Sequence, residues 1–379
     1  MKNVLFVASD NAKTSGAFLC MVKLCQLLRD QHDCNVIVVL PGQGDGKPLL
    51  DAIGIKTYLV KSCTWAVPDE WSKLQKLLFG LKMWVYNIPA IRQLRRIIRQ
   101  EKIDIVHINT SWSYVGAKAA LKEKCKFVWH FRECMEESQN RHVVFRKSGY
   151  RLIQESTRVL AVSDFVYNKY RDVAGDKMVR VYEGLDAENY YTQKEILTKE
   201  LINLLCIGLI VEKKGQWQVI EACKILVEKG ISNFRVNIVG RGAQDYISAL
   251  QEKIRQYHLE NNIVFCGATS NVDLYYKQAD IVVMSSEAEA FGRTTVEAML
   301  EGCLVIGVEA GATPELLGYG ECGLLYPYGN TQELARQFQY AIEHPVQMQN
   351  ITRKAQQFAL DNFTAEENAS KVYEQYTLL

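Results

Sequence analysis

No stretch of about 18 consecutive apolar residues occurs in this 379-residue chain, so nothing in it reads as a membrane-spanning helix. Its start, MKNVLFVASD, turns polar too early for a secretory leader. The eleven cysteines include no C-x-x-C, which excludes a zinc knuckle and a thioredoxin-type motif. Cys206 in LLCIG and Cys266 in IVFCG lie inside apolar runs, where a thiol packs as a small hydrophobe. An odd number of scattered thiols points to a reducing compartment, the cytoplasm. Low-complexity tracts and repeats of solenoid length are absent. So are P-loop, G-x-S-x-G and H-E-x-x-H motifs, which removes three common hydrolytic and nucleotide-binding chemistries.

What is present is ordinary globular composition, 48% apolar and 23% charged, which excludes a disordered chain and a coiled coil. The length exceeds the usual ~100–200 residues of one domain, so two are expected. A net charge of +2 argues against a strongly basic nucleic-acid binder, and no nucleic-acid partner is expected. That average hides an asymmetry. Through Tyr190 there are 29 basic and 20 acidic residues, a surplus of nine; beyond it there are 16 and 23, a deficit of seven. The basic excess concentrates in Trp71–Gln100, which holds seven Lys/Arg, no acid, and the aromatics Trp71, Trp84 and Tyr86. This stretch reads as a helix–turn–helix lying on an anionic membrane surface, or else as an ordinary packed helix pair with basic outer faces.

Short β-branched runs alternate with helical periodicity along the whole chain. Strands are expected at 4–8, 36–40, 57–60, 103–108, 127–130, 159–162 and 179–182, then at 203–207, 235–239, 263–266, 281–284 and 304–307. Most are continuously apolar, the pattern of parallel strands covered on both faces. Helices fall between them, at 216–228 and 332–342 among others, so the class is α/β with crossover connections. The polar segment 183–201 carries no strand signal and reads as a linker. The expected division is residues 1–185 and 186–361, with a C-terminal helix within 362–379 packing back on the first part.

Residues 285–317, SSEAEAFGRTTVEAMLEGCLVIGVEAGATPELL, carry the strongest chemical signal. They follow the apolar strand IVVM. Gly292 precedes a helical stretch whose first turn Thr294 or Thr295 can cap. A helix N-terminus suits a diphosphate through its unpaired N–H groups and dipole. Glu289 in the loop and Glu297, expected in the first turn, would repel phosphate but can accept from ribose and sugar hydroxyls. The plain alternative is a helix whose first turn favours acids.

This segment resembles the E-x7-E signature of the retaining, GT-B-fold glycosyltransferases of family 4. The wider match is F-G-x-x-x-x-E-A-M-x-x-G-x-x-V-I followed by P-E-L. Other segments resemble the family in order: the first strand with Ser15-Gly16-Ala17, VWHFRE with His130, VYEGLD, IGLIVEKKG with Lys214, VNIVGRGAQ with Gly240 and Gly242, and CGLLYPYGN. Two positions depart from it. The family's junction Asn is Glu183 here, and its diphosphate Arg is Leu209, for which Lys213, Arg293 or the helix dipole could compensate.

The resemblance implies a GT-B fold, two doubly wound Rossmann-like domains facing across a cleft. It implies a hexosyltransferase-type enzyme moving sugar from a nucleotide diphosphate sugar to a hydroxyl of a glycan or lipid-linked oligosaccharide, with retention, in surface polysaccharide biosynthesis. Gly16, Lys214, Gly292, Arg293, Thr294 and Glu297 would bind the donor, and His130 and Glu289 would face the donor sugar. Arg132 and Glu133 would shape the acceptor site, or else form a surface ion pair. D-x-D, the metal–diphosphate device of the other glycosyltransferase architecture, is missing, so neither metal nor cofactor is expected. His107 in DIVHIN reads as structural. The protein would be cytoplasmic, peripheral on the inner face of the membrane. Rival readings are a nucleotide-sugar epimerase on the same fold and a non-catalytic sugar-nucleotide-binding protein.

Overall fold

The computed structural model describes every residue except Ser270. The described chain divides into two compact units, Met1–Gly184 with Thr364–Leu379, and Leu185–Phe363.

The first unit is built on strands β1 (Lys2–Val7), β2 (Cys34–Leu40), β3 (Lys56–Leu59), β4 (Ala66–Pro68), β5 (Ile105–Ile108), β6 (Lys126–Phe131), β7 (Arg141–Val143), β8 (Arg158–Ala161) and β9 (Met178–Arg180). Seven form one sheet in the order β3-β2-β1-β5-β6-β8-β9, with parallel pairing throughout. Chain order reverses between β1 and β5, which makes that gap the sheet's topological switch point. β4 and β7 pair antiparallel as a separate ribbon.

The second unit carries β10 (Ile202–Ile207), β11 (Phe234–Val239), β12 (Ile263–Gly267), β13 (Ile281–Met284), β14 (Leu304–Val308) and β15 (Leu324–Tyr326). Their order is β12-β11-β10-β13-β14-β15, again parallel, with the switch between β10 and β13. The doubly wound α/β class expected from the strand pattern is therefore what the chain adopts, twice. Each unit has its own apolar core: Val4, Phe6, Val38 and Leu160 in the first, Leu204, Val236, Ile281 and Ile306 in the second.

The final helix, Ala365–Thr377, is capped by Thr364, whose hydroxyl accepts from Glu367 N–H. It packs on helix Gly16–Gln31 and drives Tyr376 wholly into the first core. The segment read as a linker is no free tether. Lys194 Nζ donates to the carbonyls of Tyr276 (2.6 Å) and Ala279 (2.7 Å), and Ile196 is buried in the second core.

Residues 71–100 also differ from expectation. In place of a helix–turn–helix there is one helix, Lys73–Gln100, opened by a capping box between Ser72 and Gln75 and running through Pro89. Its inward stripe is Gly80, Met83, Asn87, Ala90, Leu94 and Ile97. The Asn87 amide accepts from Cys63 N–H (2.8 Å) and donates to Cys63 carbonyl (2.9 Å). That tertiary anchor sits two residues before Pro89, whose missing N–H leaves the helix one backbone hydrogen bond short.

Candidate functional site

Ligands on open parallel sheets lie beyond the carboxyl ends of the strands, at the switch point. In the second unit the loops flanking that point follow β10 and β13. The first carries Lys214, at the end of a short 3-10 turn, Glu212–Lys214; the second carries Glu289. The two loops are stitched together. Ser285 Oγ donates to Lys214 carbonyl (2.8 Å), Glu287 N–H to Lys213 carbonyl (2.8 Å), and Gln218 Nε2 to Ser285 carbonyl (2.9 Å). Lys214 Nζ pairs directly with Glu289 Oε1. Both remain partly exposed, 32% for the Lys214 side chain and 17% for Glu289.

Helix Arg293–Leu300 begins after Gly292, which occupies the N-cap position at φ +102°, a conformation costly for any residue with a side chain. The expected Thr294 or Thr295 cap is absent, because Gly292 holds the cap position and both threonines lie inside the helix. Glu297 consequently falls in the second turn rather than the first. There Arg293, one turn earlier, places Nη2 3.1 Å from its Oε1, and the hydroxyl of the buried Tyr276 donates to its Oε2 at 3.0 Å. Among the described residues each oxygen of Glu297 thus accepts from a protein donor, and a carboxylate oxygen can accept more than one. Gly311 abuts the Glu289 backbone so closely that a Cβ there would lie 2.5 Å from Glu289 N, so Gly311 keeps that carboxylate in register. Leu209 is 47% exposed and Gln216 donates to its carbonyl. Of the replacements considered for a missing arginine there, Arg293 is engaged by Glu297, and Lys213 stands 4.0 Å from Glu287.

In the first unit, Gly16 is the first residue of helix Gly16–Gln31, at the loop after β1. Ser15 caps that helix and donates its hydroxyl to Asp10 (3.0 Å). His130 lies near the end of β6, fully buried. Its Nδ1 is 3.2 Å from His107 Nε2 and 3.4 Å from Arg132 Nη2, while its Nε2 has no hydrogen-bond partner among the described residues. Burial and the Arg132 charge push the pKa of both histidines well below the usual imidazole range.

Arg132 and Glu133 are not an ion pair and not on the surface together. Arg132 turns inward, donating to Asn109 Oδ1 (2.9 Å) and Glu183 Oε1 (2.7 Å), with 1% and 5% of the Arg132 and Glu183 side chains exposed. Glu183, where the family has Asn, is thereby the counter-ion of a buried charge. Glu133 turns away and accepts from Thr110 Oγ1, Ser111 Oγ and Ser111 N–H at 2.8–2.9 Å. Burial raises its pKa, and those hydrogen bonds oppose the rise.

Two groups of candidate residues therefore exist, one per unit: Lys214, Glu289, Gly292, Arg293, Thr294 and Glu297 in the second, Gly16, His130, Arg132 and Glu133 in the first. Sequence reasoning missed Tyr276 and Tyr376, the phenols that orient Glu297 and His107. Neither stands in a motif; both are buried aromatics on helices, indistinguishable by pattern from plain core. Among the described residues no helix is long and apolar enough to cross a membrane.

Residues 14–189 match the model of glycosyltransferase family 4, and residues 190–358 that of glycosyl transferases group 1. N-acetyl-alpha-D-glucosaminyl L-malate synthase of Bacillus anthracis is 24% identical over 306 residues, covering 76% of this chain and 77% of that protein. The amylovoran biosynthesis glycosyltransferase AmsK of Erwinia amylovora is 27% identical, covering 78% and 74%. Among solved structures, Anabaena Alr3699/HepE in complex with UDP superposes with a TM-score of 0.81 over the whole of both chains at 23% identity.

Proposed function

The chain belongs to the GT-B glycosyltransferases, of the group 1 and family 4 type, and from that we propose that it moves a hexosyl group from a nucleoside diphosphate sugar to a hydroxyl of a growing glycan or lipid-linked oligosaccharide, in polysaccharide biosynthesis. The observation that carries the donor reading is the pairing of Lys214 with Glu289 across the second switch point, beside a Glu297 held by Arg293 and Tyr276. Support comes also from HepE, which has been solved with UDP and with UDP-glucose. AmsK, named for amylovoran biosynthesis, supports the polysaccharide acceptor.

In this reading Glu297 accepts from the ribose hydroxyls and Glu289 from hydroxyls of the donor sugar. Lys214 has three donors, enough to keep Glu289 and reach the diphosphate as well. Gly16, Gly292, Arg293 and Thr294 complete the donor site. His130 contacts the donor sugar, and Arg132 and Glu133 belong to the acceptor side. Transfer proceeds with retention, as the E-x7-E resemblance implies. The bond from the anomeric carbon to the diphosphate oxygen breaks as the bond to the acceptor oxygen forms, and the acceptor proton passes to the leaving phosphate. Stabilising that leaving group is the largest task of the protein, and no metal takes part. Calorimetry with UDP and UDP-glucose tests the site. Glu297→Ala should weaken nucleotide binding at least tenfold, and unchanged affinity would refute the assignment.

The acceptor is reached at the inner face of an anionic membrane, through helix Lys73–Gln100. Besides its buried stripe, this helix carries a second apolar stripe turned to solvent: Leu74, Leu77, Leu78, Leu81, Trp84 and Val85 are each at least half exposed. Seven Lys/Arg and no acid accompany it between residues 71 and 100. Apolar side chains beside unopposed positive charge suit an interface of acyl chains and anionic headgroups. Flotation with anionic liposomes at low salt should carry the protein upward; absence of binding would remove this part of the reading.

A further inference from the structure

The first turn of helix Gln216–Glu228 buries two amide side chains that serve different loops. Gln216 donates from Nε2 to the carbonyl of Leu209 (2.8 Å), near the start of the loop that carries Lys214. Gln218 is wholly buried and reaches two other loops. Its Nε2 donates to the carbonyl of Ser285 (2.9 Å), which follows β13, and its Oε1 accepts from the N–H of Gly329 (2.7 Å), in the loop after β15. A carbonyl on one loop and an N–H on another call for a donor and an acceptor in one side chain, which an amide supplies. The approach is close: a Cβ at Gly215 would collide with the Ser285 carbonyl oxygen and with Gln218 Nε2. Ser285 passes the link on, because its hydroxyl donates to the carbonyl of Lys214 (2.8 Å). Two residues later, Glu287 N–H donates to the carbonyl of Lys213 (2.8 Å). The carbonyls at positions 209 and 214 are thus each held by an amide of this one turn, Leu209 directly and Lys214 by way of Ser285. The Gln218–Ser285 bond is buried, where a carbonyl stripped of its partner costs more than the bond itself contributes.

We propose that Gln218 is a positioning residue for the sugar donor: by holding the loops after β13 and β15 to the turn that follows Lys214, it sets where Lys214 stands against Glu289 and the diphosphate. This deepens the reading of Lys214 given above and rests on it. Gln218→Met keeps most of the side-chain volume and removes both bonds. It should weaken UDP-glucose binding about tenfold, because a ligand contact held loosely loses most of its effect. Unchanged affinity overturns the proposal. A double-mutant cycle separates positioning from packing. Residues that act through one another are not additive, so in a Lys214→Ala background Gln218→Met should cost no more than about twofold. The same tenfold loss in both backgrounds would mean a packing role only and overturn the proposal alone. Unaltered affinity in Lys214→Ala by itself would refute the donor reading of Lys214, and the proposal with it. A second readout needs no ligand. In the full-length chain, amide hydrogen exchange over residues 285–289 and 327–330 should quicken in Gln218→Met while β10 keeps its protection; unchanged exchange in both loops overturns the proposal. If Gln218→Met does not fold, Ser285→Ala cuts the same link from its other end. Losing that one hydrogen bond should weaken UDP-glucose binding about threefold in the unaltered chain and leave it unchanged beside Lys214→Ala. Equal losses in the two backgrounds overturn the proposal.

Discussion

The two units share one plan, a parallel sheet with its strand order reversing beside the first strand, yet they treat polar residues beyond the carboxyl ends of their strands in opposite ways. In the first unit the charges are folded inward. Arg132 and Glu183 keep 1% and 5% of their side-chain surface, and Arg132 donates to Asn109, Glu183 and His130. In the second unit Lys214 and Glu289 keep 32% and 17%, and Glu297 accepts from Arg293 and Tyr276. A buried, fully bonded network is rigid and costly to break. A half-exposed pair is cheap to rearrange and free to exchange partners with a ligand. The difference assigns fixed orientation to the first unit and ligand exchange to the second.

The largest effect that could break this contrast is on stability. Arg132→Met leaves Glu183 buried without a counter-ion, and breaking such a pair costs about 3–5 kcal/mol. Urea denaturation should show a loss of that size. A change below about 1 kcal/mol would mean that the first unit's network is as pliable as the second's.

Next in size is the response to acid. His107 and His130 are held neutral, with folded pKa values depressed by burial and by Arg132. For a base with a depressed folded pKa, the stability it contributes is complete above the unfolded value near 6.5 and is lost as pH falls below it. Each ring then withdraws up to about 1.4 kcal/mol per pH unit. Stability measured at pH 7.5 and 5.5 should differ by ~3 kcal/mol from this pair, and His130→Gln should remove about half of the difference. An identical pH dependence in that variant would show that the histidines are charged in the folded chain.

Much of the architecture was legible in the sequence, because long, continuously apolar strands and amphipathic helices announce themselves by period. Helix Gln216–Glu228 has the bounds its pattern implied, and all twelve expected strands are present. The three that were missed, β4, β7 and β15, have three residues each, too few for any period, and β4 ends on a proline. The single helix through Pro89 was hidden for another reason: its anchor beside the proline is Asn87 bonding Cys63, a contact 24 residues away. At the site, sequence brought forward Glu289, Glu297 and Lys214 as residue types in a recognisable spacing. It could not show that Lys214 pairs with Glu289, that Tyr276 orients Glu297, or that Arg132 bonds Glu183 rather than its neighbour Glu133. Those facts depend on loops brought together by strand order, and one sequence does not encode them locally.

The smallest stability effect tests the second unit from the other side. Lys214→Ala removes a cation from a partly exposed pair, so it should change unfolding free energy by less than about 1 kcal/mol. Its cost should appear with the ligand instead. A charge-assisted contact to the diphosphate contributes about 1.5–3 kcal/mol, so UDP-glucose affinity should fall roughly ten- to hundredfold while UDP-independent stability stays put. Leu209 sharpens the expectation. With leucine at 209 where the family carries arginine, no guanidinium at that position shares the diphosphate charge with Lys214, so the loss should sit at the upper end of that range. Should Lys214→Ala bind UDP-glucose as the unaltered chain does while losing several kcal/mol of stability, the roles assigned to the two units would be reversed. The Lys214–Glu289 pair would then be structure, and the ligand contacts would have to be sought elsewhere.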